Sequence, residues 1–331
     1  MTVPAVPQRL PHEAPSRGAV AAVDCGTNST RLLVLDGDDS RLDRLMRITR
    51  LGKGVDATGV LDPAAIARTL DVLDEYRAVI DRRRVEAVRM AATSAVRDAA
   101  NGGDFLDAAG RVVGAPAELL TGEEEGRLAY AGATSRLPPG DEVPLVVDIG
   151  GGSTELIVGS GSAPGGEPRI DAVSVDLGCV RLTERFFHHD PPLATEQAAC
   201  EACIAAELER AVRAVPGLEG TGRRLVGLAG TVSTLSMLDQ GLRDYAWERV
   251  HHSVLDLAAV ERWCDTLAAE PAASRALRSG MVEGREDVIV AGAFVLRDVM
   301  RRFGFSRCLV SETDILDGLA AGLLRPTPSA G

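Results

Sequence analysis

The sequence is short of aromatic residues, at 3% of 331, so its cores must be built from Ala, Val, Leu and Ile, which suits helices packed on sheets. It also lacks a basic excess. The formal net charge of −12 excludes broad, sequence-independent binding of DNA or RNA, although a local cationic cleft is still allowed. No apolar run approaches the roughly 20 residues of a membrane span, so no membrane partner is expected. Residues 1–17 are Pro-rich without an apolar segment. They are expected to be a disordered tail rather than a signal peptide. The six cysteines are scattered, and the one close pair, Cys200 and Cys203, sits in an Ala-rich helical pattern with no second pair to complete a four-ligand metal site. A reducing, cytoplasmic compartment is expected.

What is present is an alternation of strands and helices, which reads as an α/β protein. At 45% hydrophobic and 25% charged, the chain is long enough for two domains with their own cores. Near-continuous apolar runs at 19–24 and 30–36 predict buried strands joined by a tight turn. Asp62 and Pro63 open a helix whose stripe is Ile66, Leu70, Leu73 and Ile80. Thr121 and Glu124 are spaced as a capping box for a helix that contains Glu125. Residues 135–144 break the pattern with prolines and glycine, and 159–168 read as a Gly/Pro-rich surface turn. Further strands are expected at "IDAVSVDLGCVRL" and "SRCLV", and long helices over 194–215 and 286–304. A final helix follows Ser311 as its cap.

The chemistry is concentrated in a repeat. "VDCGTNSTRLLVLD" (23–36) and "VDIGGGSTELIVG" (147–159) share Val-Asp-x-Gly, a small polar turn, a Ser-Thr pair and an apolar strand. Setting Asp24 on Asp148 puts Gly26 on Gly150 and Ser29 on Ser153. Glycine permits positive φ and close backbone approach, and successive N–H groups with hydroxyls make an anion nest. An aspartate at the strand end repels phosphate, but it can hold a divalent cation that bridges to phosphate oxygens. A third strand–glycine–helix junction, "LAGTVSTL" (228–235), can add helix N-terminal amides. His251 and His252 read as packed or surface residues and stay outside the catalytic set. The arginine runs at 82–84, 223–224 and 301–302 fit solvated helix ends or loops.

Eight segments in order, from "VDCGTNSTRLLV" through "AATSAVRDAANG", "TGEEEGRLAYAG", "VVDIGGGSTELIVG" and "LAGTVSTL" to "LVSETDILDGLAAGLL", resemble the exopolyphosphatase/guanosine pentaphosphate phosphohydrolase (Ppx/GppA) family. The resemblance implies two ribonuclease-H-like domains of the actin-like ATPase superfamily, with an interdomain active-site cleft. They would span 18–132 plus 311–325, and 133–310, without the extra helical domains of longer members. It implies Glu125 as catalytic carboxylate and Glu155 as a second essential acid. Arg97 would bind phosphate, with Asn28, Ser29, Gly150, Gly151, Gly152, Ser153 and Thr154 as further donors. Asp24 and Asp148 would hold Mg²⁺. The implied activity is hydrolysis of terminal phosphate from inorganic polyphosphate, with the sister activity on guanosine pentaphosphate (pppGpp) as alternative. A superfamily kinase and a non-enzymatic polyphosphate or alarmone sensor are weaker rivals, and a homodimer is an allowed assembly.

Overall fold

The computed structural model describes residues 18–137, 142–162, 168–220 and 222–324. The tail expected at 1–17 and part of the turn at 159–168 lie outside them. In the first half, β1 (Val20–Cys25), β2 (Ser29–Leu35) and β3 (Arg41–Ile48) form an antiparallel meander. After α1 (Val55–Thr58) and α2 (Pro63–Arg83), β4 (Ala87–Ala92) joins β1 in parallel. Then α3 (Ser94–Asp98) and α4 (Gly102–Val113) lead to β5 (Ala117–Leu119), giving the order β3-β2-β1-β4-β5. The helix α5 (Gly122–Thr134) closes this half.

The second half repeats the plan. β6 (Val143–Ile149), β7 (Thr154–Ser162) and β8 (Pro168–Val175) form the meander. α6 (Cys179–Phe186) and α7 (Ala194–Ala214) precede β9 (Arg223–Leu228), which pairs parallel with β6. α8 (Ala229–Gln240), α9 (Trp247–Val250), β10 (Val254–Asp256), α10 (Leu257–Ala268), α11 (Ala272–Arg275) and α12 (Ile289–Arg302) lead to β11 (Arg307–Val310) and α13 (Ile315–Leu324). The order β10-β11-β9-β6-β7-β8 matches the first sheet strand for strand, with β10 added at one edge. The duplication suggested by the two short motifs therefore extends to the sheet topology.

Local signals explain most of these elements. Asp62 caps α2 by accepting from Ala65 N–H at 3.1 Å, with Pro63 in the first turn. Leu73 and Ile80 are buried in the first core, and Ile66 and Leu70 pack against it. The capping box of α5 is present in both directions. Two readings are corrected, at 179–186 and at Ser311, and two elements carried no expectation, Arg41–Ile48 and Gly102–Val113. Residues 179–186 are helix rather than a continued strand, because the chain turns at Gly178, whose tight packing on Gly151 leaves no room for a side chain. Arg41–Ile48, which lacks a continuous apolar run, is an edge strand with Arg41, Leu42, Met46 and Arg47 exposed. Gly102–Val113 is a helix that the two glycines at its start disguised. The last helix starts at Ile315, with Asp314 accepting from Leu316 N–H at 3.0 Å, while Ser311 is bonded to Thr313.

Among the described residues three large apolar cores result, one on the outer face of each sheet and one between the sheets, with a small cluster of Cys179, Val180 and Val288 beside them. The middle core takes Ala22 and Leu33 from the first sheet, Val146 and Ile157 from the second, Ala129 of α5 and Leu319 of α13. A glycine on each of the two helices sets their crossing. A Cβ on Gly132 would lie 1.8 Å from Asp314 O, and one on Gly318 would lie 2.2 Å from Leu128 O. That close approach holds the two sheets at a fixed separation, with the strand ends of β1 and β6 facing a common space.

Candidate active site between two hairpin loops

The β1–β2 and β6–β7 turns are closed by the same hydrogen bond. Gly26 N–H donates to Ser29 O at 3.0 Å, and Gly150 N–H donates to Ser153 O at 3.0 Å. The two turns lie against each other. A Cβ on Gly151 would sit 2.9 Å from Thr27 Cβ and 3.1 Å from Asn28 N, and one on Gly152 would sit 2.5 Å from Ser94 Oγ. Neither Gly26 nor the 150–152 run has a positive φ. The expectation of left-handed turn residues is thus corrected. Gly151 and Gly152 are needed because Thr27, Asn28 and Ser94 occupy the place where side chains would be, whereas a Cβ on Gly26 or Gly150 would crowd the Ser29 or Ser153 carbonyl of its own turn, at 3.1 and 3.0 Å.

Behind the loops lies a cavity of about 520 Å³. Asp24, Asn28, Ser29, Glu125, Asp148 and the 150–153 turn line it, as do Ala229, Gly230 and Ser233 at the start of α8. Both polar atoms of the Asn28 side chain are buried without a protein partner, as is Asp24 Oδ1. Thr154 and Glu155 are set behind the lining. The Thr154 hydroxyl donates to Leu177 O at 2.5 Å, and Glu155 Oε1 accepts from Ser174 Oγ at 2.7 Å. Arg97 also stands back from the lining, with Nη1 at 2.8 Å from Leu120 O and 3.3 Å from Glu125 Oε2.

Four acids share this region. Asp24, Glu125, Asp148 and Glu155 are 3%, 9%, 7% and 1% exposed, so their charges are nearly removed from water. Glu125 arrives there because Gly122 and Gly126, one turn apart on α5, let the helix sit directly on Ser174, Ala172 and Ile157. Burial, then the neighbouring Glu155, hold the Glu125 carboxyl well above the usual carboxylate range, with Arg97 acting the other way. Burial and Glu155 do the same to Asp148, which stands directly opposite Glu155 in the β6–β7 register. Burial also raises Asp24, against the pull of Arg31, whose Nη2 lies 2.6 Å from Asp24 Oδ2.

Several residues of the site carry no local signal of their role. Arg31 bridges Asp24 and Asp314. Arg44 reaches Asp314 at 3.1 Å and Asp317 at 2.9 Å, tying β3 to α13. Arg285 is 7% exposed and lines the cavity over Gly230, where a Cβ would fall 1.9 Å from its Cζ. Among the described residues no carboxylate pairs with it. In the sequence it stands between Glu283 and Glu286, and nothing in that local pattern marks it as inward-facing. His251 and His252 stack on each other at 3.7 Å outside the lining, and His251 Nδ1 accepts from Glu312 N–H at 3.1 Å.

Residues 34–325 match the family described as the Ppx/GppA phosphatase family. The chain belongs to the Ppx/GppA phosphatase family. Exopolyphosphatase 2 of Mycobacterium tuberculosis is 42% identical over 320 residues, covering 92% of this chain and 98% of that one. A crystal structure of an exopolyphosphatase-like protein superposes with a TM-score of 0.87 at 34% identity, covering 93% and 99% of the two chains. An exopolyphosphatase from Cytophaga hutchinsonii gives 0.82 at 27% identity, covering 92% and 97%. The Aquifex aeolicus family member gives 0.76 at 34% identity, covering 93% and 98%. This Ppx/GppA chain therefore shares its two-sheet α/β fold with solved relatives over nearly its whole length. No helix among its described residues is long and apolar enough to cross a membrane, and its six cysteines are free.

Proposed function

We propose that this protein is an exopolyphosphatase, releasing orthophosphate from the end of inorganic polyphosphate by attack of water on the terminal phosphorus. One observation carries the reading: two loops, one from each sheet, meet over a single cavity that also contains buried acids. The names of the Mycobacterium tuberculosis and Cytophaga hutchinsonii relatives support the substrate.

In this reading the terminal phosphate rests among Asn28, Ser29, Ser153 and the amides of Gly151 and Gly152, while the Gly150 amide, already given to Ser153 O, shapes the turn. Thr154, whose hydroxyl is already engaged and whose backbone lies in the β6–β7 and β7–β8 pairs behind the lining, supports the turn and does not touch the phosphate. Glu125 accepts a proton from the attacking water. As the new P–O bond forms, the bridging P–O bond breaks, and the shortened chain leaves with the electron pair. The raised affinity of Glu125 for a proton suits that role. Arg97 orients Glu125 and shares its guanidinium with the phosphate. Glu155 acts from behind, positioning Asp148 and Glu125 through its charge.

Asp24 and Asp148 would hold Mg²⁺. Among the described residues no cluster of three or more His, Cys, Asp or Glu side chains forms a closed metal cage. Mg²⁺ does not need one, because it takes one or two carboxylates and completes its shell with water and phosphate oxygens. The unpartnered Asp24 Oδ1 and the repulsion between Asp148 and Glu155 are what a bound cation would relieve. When bound, the ion supplies charge neutralisation at the phosphate oxygens. The free thiols agree with a cytoplasmic location.

The test is orthophosphate release from tripolyphosphate, long polyphosphate and guanosine pentaphosphate, with and without Mg²⁺. Cation-dependent release from polyphosphate is expected. Glu125→Gln should lose at least about 100-fold in turnover while still binding the chain. Wild-type turnover in that variant removes the mechanism. Preferential hydrolysis of guanosine pentaphosphate would move the assignment to the sister activity, which the apolar lining residues Leu45, Met237 and Val282 favour.

A further inference from the structure

The exposed end of the cavity contains a group of residues that the hydrolytic step does not use. Arg41, at the start of the edge strand β3, lays its guanidinium over the indole of Trp247, with Cζ 4.0 Å from the ring centroid. Trp247 belongs to the second half and packs on His251, with ring centroids 4.9 Å apart. Tyr245, 53% exposed, stands beside them at the rim. Arg44 also approaches the indole, at 5.3 Å, but its charge is taken by Asp314 and Asp317. Arg41 differs. Among the described residues no carboxylate pairs with it, although it lines the cavity. The nearby Glu312 has both oxygens engaged, by the Ser233 and Tyr245 hydroxyls.

A carboxylate would position an arginine and cancel its charge. An aromatic face positions it and leaves the charge available. With Arg285 deeper in the same wall, the cavity has two arginines that no carboxylate pairs among the described residues, with the hydroxyl-bound Glu312 as the acid that shares this wall. A substrate that is anionic along its length meets acids and loops at its reacting end and cations along the part that leaves the cavity. We infer that Arg41, held in place by Trp247, is a distal phosphate subsite that grips chain phosphates beyond the reacting end of a polyphosphate. The inference rests on the exopolyphosphatase reading and adds a determinant of chain length to it. A nucleobase platform is disfavoured because Arg41 already covers the Trp247 ring.

The experiment compares the full-length wild type with Arg41→Ala, Trp247→Ala and Trp247→Phe on tripolyphosphate, long-chain polyphosphate and guanosine pentaphosphate. Arg41→Ala should lower kcat/KM about tenfold more for the long chain than for tripolyphosphate, and chiefly through KM. Trp247→Ala should reproduce that pattern, and Trp247→Phe, which keeps an aromatic face, should restore most of the difference. Equal losses on both polyphosphates, or a Trp247→Phe variant as impaired as Trp247→Ala, overturn the subsite. Direct binding of long polyphosphate to Glu125→Gln, with and without Arg41→Ala, separates the two levels of the argument. Arg41-dependent binding in a protein whose wild type hydrolyses nothing keeps the subsite and removes the proposed activity. Equal affinity in the two variants removes the subsite whatever the activity. A loss confined to guanosine pentaphosphate also overturns it, by making the rim a nucleoside site.

Discussion

The two hairpins are copies of one design that differ where they touch. An offset of 124 positions brings Thr27 and Asn28 onto Gly151 and Gly152, and brings Arg31 onto Glu155. The first loop carries side chains and the second presents bare backbone, so one fits against the other with almost no gap. The strand pairs differ in charge in a parallel way. Asp24 faces Arg31 across β1–β2, and Asp148 faces Glu155 across β6–β7. The first aspartate is largely neutralised within the protein, while the second is set against another acid in a buried place. Duplication supplied two equivalent phosphate-sized turns. Divergence at three positions, 27/151, 28/152 and 31/155, paired one buried aspartate with an arginine and set the other against an acid, the charge that the proposed cation would offset.

The largest effect should come from removing that charge. Asp148→Asn is expected to cost at least about 100-fold in turnover and to lose the response to divalent cation. It should also raise the melting temperature in cation-free buffer, because one buried, unpaired carboxylate is gone. A melting temperature that falls instead would mean Asp148 is already compensated. Asp24→Asn should behave in the opposite sense. It strips Arg31 of one partner and should destabilise the fold by about 2 kcal/mol in denaturant titration in cation-free buffer. Equal stability changes in the two asparagine variants would erase the contrast between the hairpins.

Gly152→Ala tests the contact itself. Its new methyl would meet Ser94 Oγ and, at 2.8 Å, Thr27 Oγ1, forcing the loops apart. A loss of about tenfold in kcat/KM is expected, with a change in stability of about 1 kcal/mol. The smallest effect concerns acid. The arginines Arg31 and Arg44 overcome burial to hold the Asp314 carboxyl below its usual range. Its folded-state affinity for protons is below the unfolded value of 3.8, so its contribution is complete above that pH and is lost as pH falls through the lower, folded-state value. Urea titrations of wild type and Asp314→Asn should therefore converge by about 1 kcal/mol below pH 4. Curves that stay parallel down to pH 2 would exclude this linkage.

Much of this was legible in the chain. The Val-Asp-x-Gly repeat, the Asp62 cap and the Thr121–Glu124 box depend on neighbours within a few residues, and each formed as its local pattern required. Other features were hidden because their partners are remote. Arg44 meets Asp317 across 273 residues, and Arg31 meets Asp314 across 283. Nothing near Arg285 indicates that it faces inward, and nothing near Gly132 indicates that Asp314 O will fill the space beside it. The edge strand β3 escaped notice because a half-solvated strand need not be apolar.

The sequence by itself determined the repeat, the alternation of strands and helices, and the acids and glycines available for chemistry, since those follow from short-range pattern and residue type. Only the tertiary structure decided why the glycines are there, which acids lack a counter-charge, and which arginines stay free. Those properties depend on what the other half of the chain places alongside, and burial makes the outcome energetically decisive.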